Sequence, residues 1–370
     1  MKLVEDTNIK TTAIFGIGDA GTTFIEKLIP YQLDVARVAI NTDEASLAKT
    51  TAIRVPIGTS LLHGKGTMAK ADNGRSAALH SVGRLQKLVA RYDTIYMVSG
   101  MGGGTGSGAT PVIAQIAKRQ KKRCIAVITE PFLFEGKRRR EQAHLAIDEI
   151  YQEVDMCVVC PQQNLISELP ENTSLKSSFG YVDTRLTEIV RTLVDFQHKE
   201  AFTGLIQNVM YARAGKGTGE DEHCARDAIC RAAYAESTDF MMNDGVEAAL
   251  VHVTASSSQE QSVARCLATI FPKTAHVLYH FVADDNMGQR AEATVVVAIS
   301  KKTLEKRTPV VPQAKEIVPP KLTVAGGSRH HGTGGIFTTD RLEPRPWMTQ
   351  KPTPKGEVQK QQEGTDEHPK

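Results

Sequence analysis

Two glycine-rich segments constrain this 370-residue chain more than any other feature. Gly16-Ile17-Gly18-Asp19-Ala20-Gly21 stands between a β-prone run, Thr12 to Phe15, and a helix-prone one, Thr22 to Ile29. Gly102-Gly103-Gly104-Thr105-Gly106-Ser107-Gly108 repeats the arrangement between Thr94 to Val98 and Thr110 to Arg119. Glycine lets the backbone approach a ligand closely and enter conformations closed to other residues. A helix that starts directly after such a loop presents unpaired amides and the positive end of its dipole. Two strand-loop-helix units of this kind predict an anion site, with phosphate as its natural guest, on an α/β scaffold.

Elsewhere the sequence fits that scaffold. Val35 to Ile40, Cys124 to Thr129 and Met156 to Val159 read as further strands, interleaved with helical stretches at Gly74 to Tyr92 and Arg139 to Val154. Such alternation argues for a doubly wound parallel sheet with helices on both faces. A long helix-favouring stretch, Ser178 to Phe196, follows. Beyond it Ala248 to Thr254, Ala275 to Val282 and Ala293 to Ser300 read as strands around a helix at Gln259 to Phe271. The expected organisation is a Rossmann-type domain over residues 1–177, a central helix over 178–200, a smaller α/β domain over 201–305 and a flexible tail over 306–370.

Composition excludes several classes. With 24% charged and 41% hydrophobic residues, the chain has the apolar content needed for a packed core. No run approaches the roughly 20 apolar residues of a membrane span. The first 15 residues carry acids and threonines where a secretory leader needs an apolar stretch, so a cytoplasmic protein without direct membrane insertion is expected. Six cysteines are too few for a disulfide framework. Cys157 and Cys160 sit in an apolar run whose alternation sends residues three apart to opposite faces, so they read as core residues, not as a chelating pair. From Lys301 onward there are 13 Lys and Arg against 8 Asp and Glu, leaving 32 against 34 for residues 1–300. Nine of the 16 prolines also fall there, starting at Pro309. The basic tail is thus set apart from a nearly neutral body, and nothing points to nucleic acid as a partner.

Two nucleotide classes compete at this stage. Asp43 closes the second strand 22 residues past Gly21, near where a dinucleotide oxidoreductase places its ribose-binding acid. A Walker loop, by contrast, is missing: Gly64-Lys65 and Gly215-Lys216 lack both the spacing and the following Ser or Thr. Asp19 is an awkward neighbour for a phosphate in either reading, since it repels the anion unless a cation intervenes.

The run Gly102 to Gly108 matches the GGGTG[ST]G signature of the tubulin superfamily, and the chain resembles its FtsZ branch over roughly residues 11–300. The register agrees at Ala39-Ile40-Asn41-Thr42-Asp43, at Gly64-Lys65-Gly66 with Asn73-Gly74-Arg75, and at Pro131 to Arg139 (PFLFEGKRR). The resemblance implies GTP or GDP as ligand, with Mg2+, where used, held mainly by nucleotide and water and no metal site formed by protein ligands. It implies that Gly16, Gly18, Asp19, Ala20, Gly21, Thr22 and Thr23, with Gly102, Gly103, Gly104, Thr105, Gly106, Ser107 and Gly108, cradle the phosphates. Gly66, Thr67, Met68 and Ala69 would approach the γ-phosphate, Glu135 and Arg139 the ribose and nearby phosphate oxygens, and Asn41 and Gln162 complete the set. Phe179 would stack on guanine while Asp183 accepts from its N1 and N2 edge, an acceptor that adenine cannot satisfy.

By the same resemblance, subunits assemble head to tail, and an acidic loop after the central helix enters the next subunit's pocket to polarise the attacking water. The family loop reads like GxxNxDFAD. Here the local match is Val190 to His198, with Val190, Leu193 and His198 in place of the glycine, the asparagine and the second aspartate. Only Asp195 remains as a catalytic candidate, and the short spacing to Gly219-Glu220 assigns it to the helix itself. Lys70, in place of an asparagine, would add positive charge near the γ-phosphate. In the tail, residues Leu342 to Met348 (LEPRPWM) loosely match the short peptide by which FtsZ binds division and membrane-adaptor partners. The expectation is a GTP-binding filament protein of cell division or a related scaffold with weak hydrolysis, the alternatives being an ordinary assembly-activated GTPase and, remotely, the oxidoreductase.

Overall fold

The computed structural model describes residues 11–166, 169, 172–197, 199–206, 210–238, 241–242, 245–300 and 302–303; His198 and the segment 342–348 lie outside them. In chain order the first half runs β1 (Thr12–Ile17), α1 (Gly18–Lys27), β2 (Ala36–Asn41), α2 (Glu44–Leu47), β3 (Ile53–Pro56), α3 (Thr59–Leu62), α4 (Ala71–His80), α5 (Val82–Val89), β4 (Thr94–Gly100), α6 (Gly104–Arg119), β5 (Arg123–Glu130), α7 (Lys137–Glu153), β6 (Met156–Pro161) and α8 (Gln162–Ile166). After it come α9 (Leu175–Phe196), α10 (Glu200–Ile206), β7 (Met210–Glu220), α11 (Cys224–Ala233), β8 (Ala248–Ala255), α12 (Glu260–Ile270), β9 (His276–Ala283) and β10 (Arg290–Ser300).

The strands join one sheet in the order β3-β2-β1-β4-β5-β6-β7-β10-β8-β9. From β3 to β7 every pairing is parallel. β10 is antiparallel to both β7 and β8, and β9 returns parallel to β8. Alternate residues feed two apolar layers: Ala13, Phe15 and Ile17 join α4, α6, α7 and α11, whereas Ile14 faces α1 and α9. Parallel strands buried on both faces require this double coverage. Cys157 falls in one layer and Cys160 in the other, as the alternation requires. Burial pushes the Cys160 thiol up to about 12, so it stays protonated at neutral pH.

The order reverses between β1 and β4: successive strands are added outward on the β2 side, then on the β5 side. Loops leaving the carboxyl ends of β1 and β4 diverge there and leave a crevice. Both glycine segments occupy that position.

Several boundaries differ from expectation. α6 begins six residues before Thr110, inside the glycine motif, because contacts with other segments outweigh glycine's poor helix propensity. The stretch 74–92 is two helices broken at Ser81, whose hydroxyl accepts from Gly58 N at 2.9 Å. The sequence reading assigns no element to β7, whose Gly215, Gly217 and Gly219 disfavour a strand. In the fold these alternate on one face under α11: a Cβ there would lie 2.1 Å from Ala232 O, 2.1 Å from Ala228 O and 1.9 Å from Cys224 O. Only a bare strand face admits the helix so closely.

Candidate functional site

α1 begins at Gly18 directly after β1, and no side chain caps its N-terminus. The same holds for α6, whose N-cap is Gly103. Gly18 has φ +75, and a Cβ on it would lie 3.1 Å from Gly106 N, so the two helix starts abut. Gly16 and Gly21 let α1 fold back onto its own strand, since a Cβ on Gly16 would meet Gly21 O at 2.2 Å. Two aligned helix N-termini at one crevice concentrate amide donors and positive potential at a single point.

Around this point lies a cleft of ≈ 420 Å³. One wall is the segment before α4, where Gly66 N donates to Thr42 O at 3.3 Å and the backbones of Asp43 and Lys65 pair in an isolated antiparallel β-bridge. Met68 (φ 52) and Ala69 (φ 58) hold left-handed conformations that are unusual outside glycine, and Met68 is 80% exposed at the rim. Thr42 and Thr105 share a buried hydroxyl contact of 2.7 Å that pins β2 to the start of α6. Gln142 of α7 spans both walls: its Nε2 donates to Gly102 O (2.9 Å) and Gly103 O (3.2 Å), and its Oε1 accepts from Ala71 N (3.2 Å).

A second cavity of ≈ 230 Å³ opens beside the first, and Ala20, Gly100, Thr129, Gln162 and Phe179 line both. α9 supplies Phe179 and Asp183 one turn apart. Phe179 meets Phe132 edge-on at 5.2 Å, and Phe132 stacks on Phe134 at 5.0 Å, leaving Phe179 40% exposed. Burial lifts the Asp183 carboxyl above its ordinary range, partly offset by the Lys27 ammonium at 3.1 Å. Glu135 and Arg139 form an ion pair at the cleft, and Glu135 Oε1 also accepts from Phe132 N at 2.9 Å.

Most residues expected at the site are brought together. Gly18, Asp19, Ala20, Asn41, Gly66, Thr67, Met68, Ala69, Gly103, Gly104, Thr105, Gly106, Glu135, Arg139, Gln162 and Phe179 line the larger cavity; Gly21, Thr23 and Asp183 line the smaller. Gly16, Thr22, Gly102, Ser107 and Gly108 line neither, and act behind the surface. Ser107 Oγ accepts from Gly102 N at 2.8 Å and fixes the loop, while Thr22 accepts from Asn41 at 3.4 Å. Asn41 Nδ2 also donates to Asp19 Oδ1 at 2.8 Å, which holds that carboxylate against β2. Lys70, expected to add charge, is not among the lining residues; Lys65 is. A lone glutamine within a charged helix, as Gln142 is, carries no sequence signal.

Asp195 lies in the last turn of α9. At about 1.5 Å rise per residue it stands roughly 24 Å along the helix from Phe179, out of reach of its own cleft. Its carboxylate faces His252 of β8 and His280 of β9 instead. α10 starts at Glu200, so only three residues separate the two helices.

A crevice at a topological switch point, floored by two helix N-termini, defines the chain as an α/β protein of the anion-binding, doubly wound class, here extended by an antiparallel half. The family model for the GTPase domain of the Tubulin/FtsZ family matches residues 11–170. The cell division protein FtsZ of Coxiella burnetii is 31% identical over 302 residues, covering 77% of each chain. This chain belongs to the Tubulin/FtsZ family. Among solved structures, an empty FtsZ dimer from M. jannaschii superposes with TM-score 0.72 at 26% identity, covering 81% of this chain and 90% of that one. CetZ2 of Haloferax volcanii, a GTPγS-bound protofilament, shares the fold at TM-score 0.65 and 18% identity, over 80% and 97% of the two chains.

Proposed function

We propose that this chain binds GTP and GDP in the double cavity, assembles head to tail into filaments, and turns GTP over slowly. The observation that carries the nucleotide reading is the pairing of two uncapped helix N-termini with an exposed aromatic ring and an adjacent carboxylate. Phosphates fit the first element by charge and amide geometry. Guanine fits the second, because its N1 and N2 hydrogens need an acceptor that adenine leaves unpaired. Gly103 offers a bare backbone with no neighbour within 4 Å of its Cβ position, the kind of surface a phosphate approaches. Any Mg2+ would be held mainly by nucleotide and water, as expected from the resemblance. Calorimetry with GDP and ADP tests this reading: a clear preference for GDP is expected, and equal affinity would sink it.

Two observations support slow turnover. α9 continues unbroken through Asp195 to Phe196, and the connection to α10 is too short for an acidic loop of the family's length. Asp195 also already has two imidazoles as neighbours. A pocket lacking water-orienting carboxylates from its neighbour loses on the order of a hundredfold or more in rate. Filaments formed with GTP should therefore disassemble slowly, and turnover should depend only weakly on protein concentration. Brisk turnover rising steeply with concentration would instead identify an ordinary assembly-activated GTPase. Strict monomers in GTP, by pelleting and negative-stain microscopy, would reject assembly.

A further inference from the structure

Asp195, His252 and His280 are far apart in sequence and meet on one face of the sheet. β8 and β9 pair in parallel with His252 directly opposite His280, so the pleat sends both imidazoles to the same side. α9 lays its last turn over that side and adds Asp195. His252 Nε2 is 3.4 Å from Asp195 Oδ2, and His280 Nδ1 is 3.9 Å from the same oxygen. One potential ligand atom from each residue lies within 4.8 Å of the others.

From this geometry we propose that Asp195, His252 and His280 form a binding site for a divalent transition-metal ion, with zinc as the best fit. Ligands at about 2.0–2.1 Å from a tetrahedral centre stand roughly 3.3–3.4 Å apart, so the 3.4 Å pair is already in place and small side-chain rotations bring in the third. Two imidazoles and one carboxylate form a donor set suited to zinc and its neighbours, unlike the all-oxygen sets that magnesium prefers. His280 Nδ1 is buried yet has no hydrogen-bond partner, which leaves its ring nitrogen directed at the cluster without a protein group to satisfy it. His252 also lines a small cavity of ≈ 90 Å³ beside the cluster, which gives an ion and its remaining water ligand a way in. The Lys199 ammonium lies nearby, but it sits over the Phe196 ring and donates to Tyr279 O at 2.8 Å. The site lies at the far end of α9 from the nucleotide cleft and stands independently of the nucleotide reading. Bound metal would clamp the end of the central helix to the outermost strand pair.

The test uses the full chain, stripped with a chelator and held in excess Mg2+, titrated with Co2+ and then Zn2+. About one Co2+ per chain should bind with the strong visible absorption of a tetrahedral site, be displaced by Zn2+, and raise the melting temperature. His252→Gln and His280→Gln should each weaken Zn2+ binding by more than about 100-fold while keeping the far-ultraviolet dichroism of the parent. Loss of binding in His330→Ala/His331→Ala with retention in His252→Gln would assign the metal to the tail and overturn the proposal. Absence of stoichiometric binding to the parent chain would also overturn it.

Discussion

At the scale of single residues, the glycines of the second motif do not share one task. A Cβ on Gly106 would come within 2.3 Å of Gly100 O, and one on Gly108 within 2.1 Å of Ala71 O, so both let segments pack. Gly103 meets nothing within 4 Å and borders the cleft. Gly103→Ala should keep the parent's melting temperature yet weaken GDP binding at least about tenfold, because the methyl fills the phosphate approach. Gly106→Ala should cost roughly 1–3 kcal/mol of stability, read by denaturant unfolding. Asp183 offers a second check. Its carboxyl titrates above the ordinary aspartate range, so as pH falls the anion proposed as the guanine acceptor is lost at a higher pH than the usual ~3.9. GDP affinity should decline with acid in the parent more than in Asp183→Asn, which is neutral throughout. Equal slopes in calorimetry would remove Asp183 from base recognition.

Among the elements, α9 carries the most consequence, since it presents Phe179 and Asp183 at one end and Asp195 at the other. Midway, Glu188 receives the buried Arg185 at 2.6 Å and also pairs with Lys216 of β7, which in turn meets Glu292 of β10 at 3.1 Å. Burial works against the Lys216 charge, but Glu188 and Glu292 outweigh it and hold its pKa above the usual lysine value. Removing the central acid leaves Arg185, only 1% exposed, without this partner. Glu188→Ala should therefore destabilise the chain by about 3 kcal/mol, measured by thermal or denaturant unfolding. The helix itself was legible from its proline-free length and its apolar positions at helical spacing, Val182, Leu186, Ile189 and Leu193. The strands of the first half were legible for a similar reason: apolar runs of that length, set between helices, leave little other choice. β7 was not, because its glycines are explained only by the helix that packs on them in the fold, Cys224–Ala233. Nor was the cluster of Asp195, His252 and His280, which exists only once the β8–β9 register and the end of α9 are fixed. The same holds for Gln142, whose four carbonyl and amide partners are set by tertiary contacts alone.

For the whole molecule, one sheet joins the parts expected to be separate units, yet unevenly. β6 and β7 pair over three residues, whereas β7 and β10 pair over eleven. The described fold is also closed near its end: Ser300 and Thr303 hydroxyls both donate to Glu247, where β10 finishes beside β8. Deleting residues 309–370 should consequently leave the melting temperature and GDP affinity unchanged, while abolishing any contact made through Trp347. Unfolding of the shortened chain would show that the tail contributes to the core.

The comb of glycines under α11 has a bearing on how this sequence is free to vary. Gly215, Gly217 and Gly219 are met by Ala232, Ala228 and Cys224 of the helix, so strand and helix interlock with almost no side-chain volume between them. Enlarging either side separates the pair along its whole length, and no single compensating change on the partner restores it, because the partner is already backbone. A saturation library read for folded protein should thus show intolerance at every second position along 215–219, faced by intolerance at steps of three or four along 224–232, with permissive residues between them on both elements.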